Sequence, residues 1–251
     1  LREMEEGLGC RLFDRTTRSL QPTQAAAQAL AVAERILRDV EQLGTGLRDL
    51  TGLRTGRVGI AITPTLAELL MPAVVSRFAR RHPDIQVLVD DCAPDQFVAR
   101  VLGGHVDFGI GAPERAAADV DTQRLFSDHL ALVCRADDPL ARLAAPRWVD
   151  LRERGVITVR PGYGIRPLVD AAAAQSRFRL NVTHEVTFLS TALWMTACGI
   201  GVAVMPSSYA RDPADRGLVV RKLRGPVVSR DVSLVTKRGH SLSPAAIAFV
   251  D

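Results

Sequence analysis

The chain has 251 residues, 47% of them hydrophobic, with a formal net charge of +4 at neutral pH, which leaves room for more than one domain in an ordinary globular composition. No apolar run approaches the ~18 residues a membrane helix needs, and the opening Leu1-Arg2-Glu3-Met4-Glu5-Glu6 lacks the apolar core of a secretory signal, so a cytoplasmic location with no membrane partner is expected. The basic excess is nearly all arginine, with lysine only at 222 and 237, and it alternates with acidic residues instead of forming a block, so charge alone does not point to nucleic acid.

Leu1, Met4 and Leu8 fall at helical spacing, and Gly7 and Gly9 end that helix. Arg11-Leu12-Phe13 and Ser19-Leu20-Gln21 read as short strands around a polar tip, Asp14 to Arg18. A helix followed by a hairpin is the geometry of a winged DNA-binding domain. A tip carrying Arg15, Thr16, Thr17 and Arg18 suits phosphate contact, although polar tips are more commonly solvated turns. From Gln24 to about Leu50 the pattern is helical. Leu30, Leu37, Val40, Leu47 and Leu50 recur at close to seven-residue spacing, with Ile36 and Leu43 alongside. Such a helix would be about 40 Å long, and its two adjoining apolar seams fit a partner helix from a second copy better than its own domain. Gly44, Gly46, Gly52 and Gly56 mark a hinge, with a boundary near Gly56.

Beyond Arg57, strands and helices alternate. Strands are expected at Val58–Ile62, Ile85–Val89 and Val106–Ile110, with helices at Leu66 to about Arg80 and Asp95–Leu102. This β-α-β-α-β series predicts a parallel, doubly wound sheet. A second unit has strands at Leu130–Cys134, Val156–Val159, Thr183–Thr187 and Val202–Met205, with helices near Ile165–Gln175 and Ser190–Cys198. A last strand, Asp231–Thr236, and helix, Pro244–Val250, should return to the first unit.

Three stretches carry a resemblance. Gly7 to Thr23, GLGCRLFDRTTRSLQPT, resembles the wing of LysR-type transcription regulators. Pro72, Phe78, His82-Pro83 and Gly104, Asp107, Ile110 match two patterns in the first half of their effector domains, and Ala197 to Pro206 resembles a third. One departure is Gln24-Ala25-Ala26 where the family usually has Glu-Ala-Gly. The resemblance implies an α/β chain. Residues 1–23 would be the remnant of a winged helix-turn-helix that has lost its front, and 24–56 a linker and dimerisation helix. A two-lobed, type 2 periplasmic-binding-protein-like effector domain would follow. Its subdomain I would comprise 57–126 with 224–251, and its subdomain II 127–223. A chain beginning inside the recognition helix is expected to bind operator DNA poorly on its own.

In doubly wound sheets ligands bind beyond the carboxyl ends of strands, against helix N-termini. Four such points occur: Thr63-Pro64-Thr65, Cys92-Ala93-Pro94, Arg160 to Arg166, and Phe188 to Thr191. The resemblance places Thr65, Pro94, Pro161, Gly162, Tyr163, Gly164, Leu189, Ser190 and Thr191 along the effector cleft. Arg166 and Arg160 would favour an anion such as a carboxylate, and Tyr163 and Phe188 an aromatic wall, which Trp194 would join if it were not core. The His residues, 82, 105, 129, 184 and 240, have no metal-ligand spacing, and no nucleophile elbow or phosphate loop occurs. Neither metal, cofactor nor enzyme activity is therefore expected. Cys10, Cys92, Cys134 and Cys198 read as small buried apolar residues, with a redox pair of Cys92 and Cys198 as the alternative. The expected function is a regulator switched by a small anionic effector, with operator DNA as a partner and a homodimer or homotetramer as the assembly. The alternative is a solute-binding protein without a DNA-binding role.

Overall fold

The computed structural model describes residues 1–15, 20–30, 32, 33, 36, 37, 40, 56–113, 118–161, 163–209 and 216–251. Helix α1 (Arg2–Leu8) ends on Gly9 in the left-handed conformation (φ 65°), as its sequence requires. The Glu5 carboxylate then accepts the amides of Leu12 (2.8 Å) and Phe13 (3.2 Å), turning the chain into β1 (Phe13–Arg15), which pairs antiparallel with β2 (Leu20–Pro22). The hairpin lies up to two residues later than expected, and Asp14 and Arg15 belong to a strand. Thr23 fixes this register, because its amide donates to the Leu12 carbonyl and its hydroxyl caps Ala26 at the start of α2. The described residues of α2 are 24–30, 32, 33, 36, 37 and 40. Leu30, Ile36, Leu37 and Val40 lie exposed along it, as expected for an unpartnered seam. The continuation expected to Leu50 and the glycines 44, 46 and 52 lie outside the described residues.

The first lobe is built on β3 (Gly56–Ile62), flanked in parallel by β4 (Ile85–Asp91) and β5 (Phe108–Gly111). The crossovers are α3 (Pro64–Arg81) and α4 (Phe97–Leu102). Val58, Ile60 and Ile62 pack on Leu66 and Met71, while Ala61 faces Cys92 and Phe97 on the other side. Both faces of β3 are therefore covered, which explains its nearly unbroken apolar run. Asp107 ties the layers together: its carboxylate accepts the Gly59 amide (2.7 Å) and the hydroxyl of Ser243, whose oxygen caps α7 (Pro244–Val250).

The second lobe contains β7 (Val156–Val159), α5 (Arg166–Gln175), β8 (Val182–Val186), α6 (Leu189–Ala197) and β9 (Val202–Pro206), with β7 parallel to both β8 and β9. Its core centres on Trp148, which is fully buried and donates its indole N–H to the Pro226 carbonyl at 2.8 Å. Two strands carry the chain between the lobes. β6 (Val120–Arg135) pairs antiparallel with β11 (Ser229–Lys237) along its first part and with β9 and β10 (Leu218–Lys222) along its second. The strand order is β4-β3-β5-β11-β6-β9-β7-β8, with β10 on β6.

The doubly wound parallel core is thus completed by antiparallel strands into one mixed sheet. β6 begins ten residues before Leu130, where its strand was expected. Its first half, Asp121-Thr122-Gln123-Arg124, is largely exposed and polar, so burial leaves no apolar signature there. Five-residue β10 was not anticipated. Among the described residues, no helix is long and apolar enough to cross a membrane.

Candidate functional site

The carboxyl ends of β3, β7 and β8 and the start of β11 converge on a cavity of 540 Å³ between the lobes, within the range of small-molecule sites. β3, β7 and β8 each lead into a helix that begins at the cavity wall. Thr63 is the extended N-cap of α3, with Pro64 and Thr65 as the first helical residues. α5 starts at Ile165 and α6 at Phe188, and none of the three helices has a side-chain cap. The amides of Thr65 in α3 and of Leu189 to Thr191 in α6 lack intrahelical acceptors, whereas Pro64 and Pro167 have no N–H and the Arg166 amide donates to the Tyr163 carbonyl. The positive dipole ends of the three helices point towards the same space.

Among the described residues, Arg230 is the cation, and Asp231 the carboxylate, that line this space from β11. The Arg230 Nε is buried and has no hydrogen-bond partner, an arrangement that folding alone does not favour. Burial pushes its guanidinium pKa down, opposed by the charge of Asp128, its cross-strand neighbour on β6. Asp128 does not satisfy it, because that carboxylate is already engaged. Oδ1 accepts the His129 amide (2.7 Å) and the Ser207 hydroxyl (2.8 Å), and Oδ2 accepts the Ser208 hydroxyl. Burial would raise the Asp128 carboxyl, but the two serine hydroxyls and the backbone amides hold it below its usual value.

Of the expected cleft residues, Thr63, Pro64, Thr65, Pro94, Tyr163, Gly164 and Leu189 line the cavity. Gly162 lies outside the described residues, and Pro161 is exposed away from the lining. Thr191 borders a neighbouring depression with Arg160, Glu185 and Phe188. Ser190 does not line the cavity but lies near the Tyr209 hydroxyl, which donates to Glu68 on α3 at 2.9 Å, a link between the lobes. Burial and Glu68 push the Tyr209 phenol pKa up.

The two arginines expected to meet an anion are differently occupied. Arg166 bonds Asp170 (2.9 Å), Glu185 (2.7 Å) and the Val159 carbonyl, and its side chain is 12% exposed. It is a structural pin between α5 and β8, not a free cation. Arg160 donates to the Thr187 hydroxyl and stacks over the Tyr163 ring, 5.4 Å from its centroid. Tyr163 and Phe188 do line the cavity, whereas Trp194 is 57% exposed on the far side of α6, under Arg216. Trp194 is neither core nor cleft wall. Sequence reasoning missed Arg230, Ser229, Asp231, Ser233 and Thr187. Arg230 carries no distinct signal in the sequence, because the strand begins with three polar residues, Ser229-Arg230-Asp231, that read as a solvated strand end.

Arg15 ends β1, and Thr16, Thr17 and Arg18, the rest of the expected DNA-contacting tip, lie outside the described residues. All four cysteines are free. Cys92 and Cys134 are buried as expected, and Cys10 and Cys198 are exposed, contrary to expectation. Among the described residues, no cluster of His, Cys, Asp and Glu could hold a metal ion.

Two lobes of mixed sheet hinged on β6 and β11, with a cleft at the strand carboxyl ends, define a periplasmic-binding-type effector domain. Residues 51–251 match the family described as LysR substrate binding domain, and the chain belongs to that family of bacterial transcription regulators. The uncharacterized HTH-type transcriptional regulator YfeR of Shigella flexneri is 33% identical over 255 residues, covering 100% of this chain and 81% of that protein. The transcriptional dual regulator GltC of Bacillus subtilis is 22% identical over 249 residues, covering 99% of this chain and 83% of that protein. Among solved structures, full-length CbnR complexed with its target DNA superposes with a TM-score of 0.78 at 19% identity, covering 99% of this chain and 85% of that one. The Synechocystis PCC6803 CcmR regulatory domain with 2-PG gives 0.72 at 21% identity over 78% of this chain and 95% of that one. These likenesses show the fold.

Proposed function

We propose that this LysR-type regulator acts in the cytoplasm as a homodimer or homotetramer on operator DNA, and that a small anionic effector bound between its lobes switches its activity. The observation that carries the anionic reading is Arg230, a half-buried cation that lines the cavity with its Nε buried and unpartnered, beside three helix starts without side-chain caps. An anion entering there gains charge-assisted hydrogen bonds that the apo cleft leaves unmade. Two similar effector domains, those of QuiR and CcmR, were captured with shikimate and 2-PG, which supports a small-molecule ligand in this architecture. Binding that contacts both lobes favours one mutual orientation over others. β6 and β11 would pass that change to the linker helix and so to the DNA-binding ends.

Calorimetric titration with a panel of small organic anions and their neutral amides tests this reading. At least one anion should bind, its amide should not, and Arg230→Met should weaken the anion about 10- to 100-fold. A neutral compound that binds the cleft while every anion fails would overturn it.

A further inference from the structure

We infer that the effector carries a single acid group on an apolar body, with the acid seated on Arg230 and the body against the second lobe. The inference rests on the anionic reading above and narrows it to a chemical class. The cavity wall is sorted by polarity. The hydroxyls of Thr63, Thr65, Ser229 and Ser233 lie with Arg230 at the β3 end and along β11, whereas the second lobe, apart from Thr187 and the Tyr163 hydroxyl, contributes apolar surface from Ile165, Pro167, Leu168, Phe188 and Leu189. A polyhydroxylated molecule would press hydroxyls against that apolar wall, where they lose water without gaining partners.

Charge limits the ligand in the same way. Among the described residues that line the cavity, Arg230 is the one cation, and the neighbouring Asp231 is the one carboxylate. Arg166 is neutralised by Asp170 and Glu185, and Arg160 is held on Thr187 and Tyr163, beside the adjoining depression. Asp128 is turned to Ser207, Ser208 and the His129 amide and makes no hydrogen bond to Arg230, so the Arg230 guanidinium remains available. A first acid group therefore meets that guanidinium and open helix amides. A second inside the cavity would meet either the apolar wall or the carboxylate of Asp231, and would shed its hydration without a counter-charge there, since Arg160 lies in the adjoining depression.

Matched pairs differing by one carboxylate test this on the unmodified chain: octanoate against octanedioate, and 2-naphthoate against naphthalene-2,6-dicarboxylate, with gluconate as the hydroxyl-rich acid. In calorimetric titrations at fixed salt, each monoacid should bind at least about tenfold tighter than its diacid and than gluconate. Arg230→Met should reduce the monoacids to the level of the diacids, and Arg230→Lys should keep part of the preference, which separates loss of charge from loss of fold. Diacids or gluconate binding as tightly as the monoacids would overturn the single-acid inference while leaving the anionic reading intact. Equal binding by wild type and Arg230→Met would overturn the placement of the acid. No binding by any of the acids would overturn the inference together with the anionic reading.

Discussion

Asp128 is 5% exposed and still favours its charged form, because two serine hydroxyls and two amides surround it. A carboxyl held below its unfolded value, near 4, adds stability at every pH above that value. This contribution is lost as the pH falls through the lower folded value. Replacing Ser207 and Ser208 together by Ala removes the hydroxyl donors, so the Asp128 pKa rises and acid unfolding moves to higher pH. Melting temperatures recorded between about pH 2 and 6 should show the shift, and superimposable wild-type and mutant curves would rule it out. The contrast among Arg160, Arg166 and Arg230 belongs to the same scale. Sequence reveals that a guanidinium stands near a strand end, but not whether a carboxylate from another element has already taken it. Glu185, nineteen residues from Arg166, is such a partner.

The elements with a single-period apolar pattern were legible: β7 and α7 fall where expected, and β3, β4, α3, α5 and α6 within about two residues. What failed had no such pattern. The first half of β6 is polar and draws its order from pairing with β11, distant in sequence, and β10 is short and sits at the margin of the sheet. Trp194 was misread because its neighbours on α6 are apolar. Leu189, Ala192, Leu193 and Thr196 already form the buried stripe, and Trp194 lies opposite it. The loop after α6 was read as a motif without its reason. A Cβ on Gly201 would stand 2.6 Å from the Gly155 carbonyl oxygen, so β9 can approach the start of β7 only with glycine there. Gly201→Ala is expected to cost about 1–3 kcal/mol in urea unfolding, and a neutral result would show that the 155 loop can move aside.

At the scale of the molecule, the cleft was legible as a meeting of strand ends, whereas the contacts that hold the lobes in register were not. The Tyr209 hydroxyl on Glu68 is one such contact, joining residues 141 apart in sequence. Tyr209→Phe keeps the ring in place and removes the tie. Hydrogen exchange at the start of α3 should then quicken and anion affinity should fall, by up to about tenfold. Unchanged exchange would show that the bridge does not restrain the lobes. β6 also bears on how such sensors can be recombined. It runs unbroken through both lobes, and its pairing with β11 already absorbs one register shift, between Val232 and Ser233. One residue added or removed within it would reverse the facing of every side chain on one side of the change, so β6 could keep its register in one lobe only. A hybrid with one lobe from a relative should therefore be joined without insertion or deletion near Asp128, where β6 passes from pairing with β11 to pairing with β9 and β10, and in the 223–228 connection. A join after Arg135 would leave Leu130, Leu132, Val133 and Cys134 of one parent inside the second-lobe core of the other.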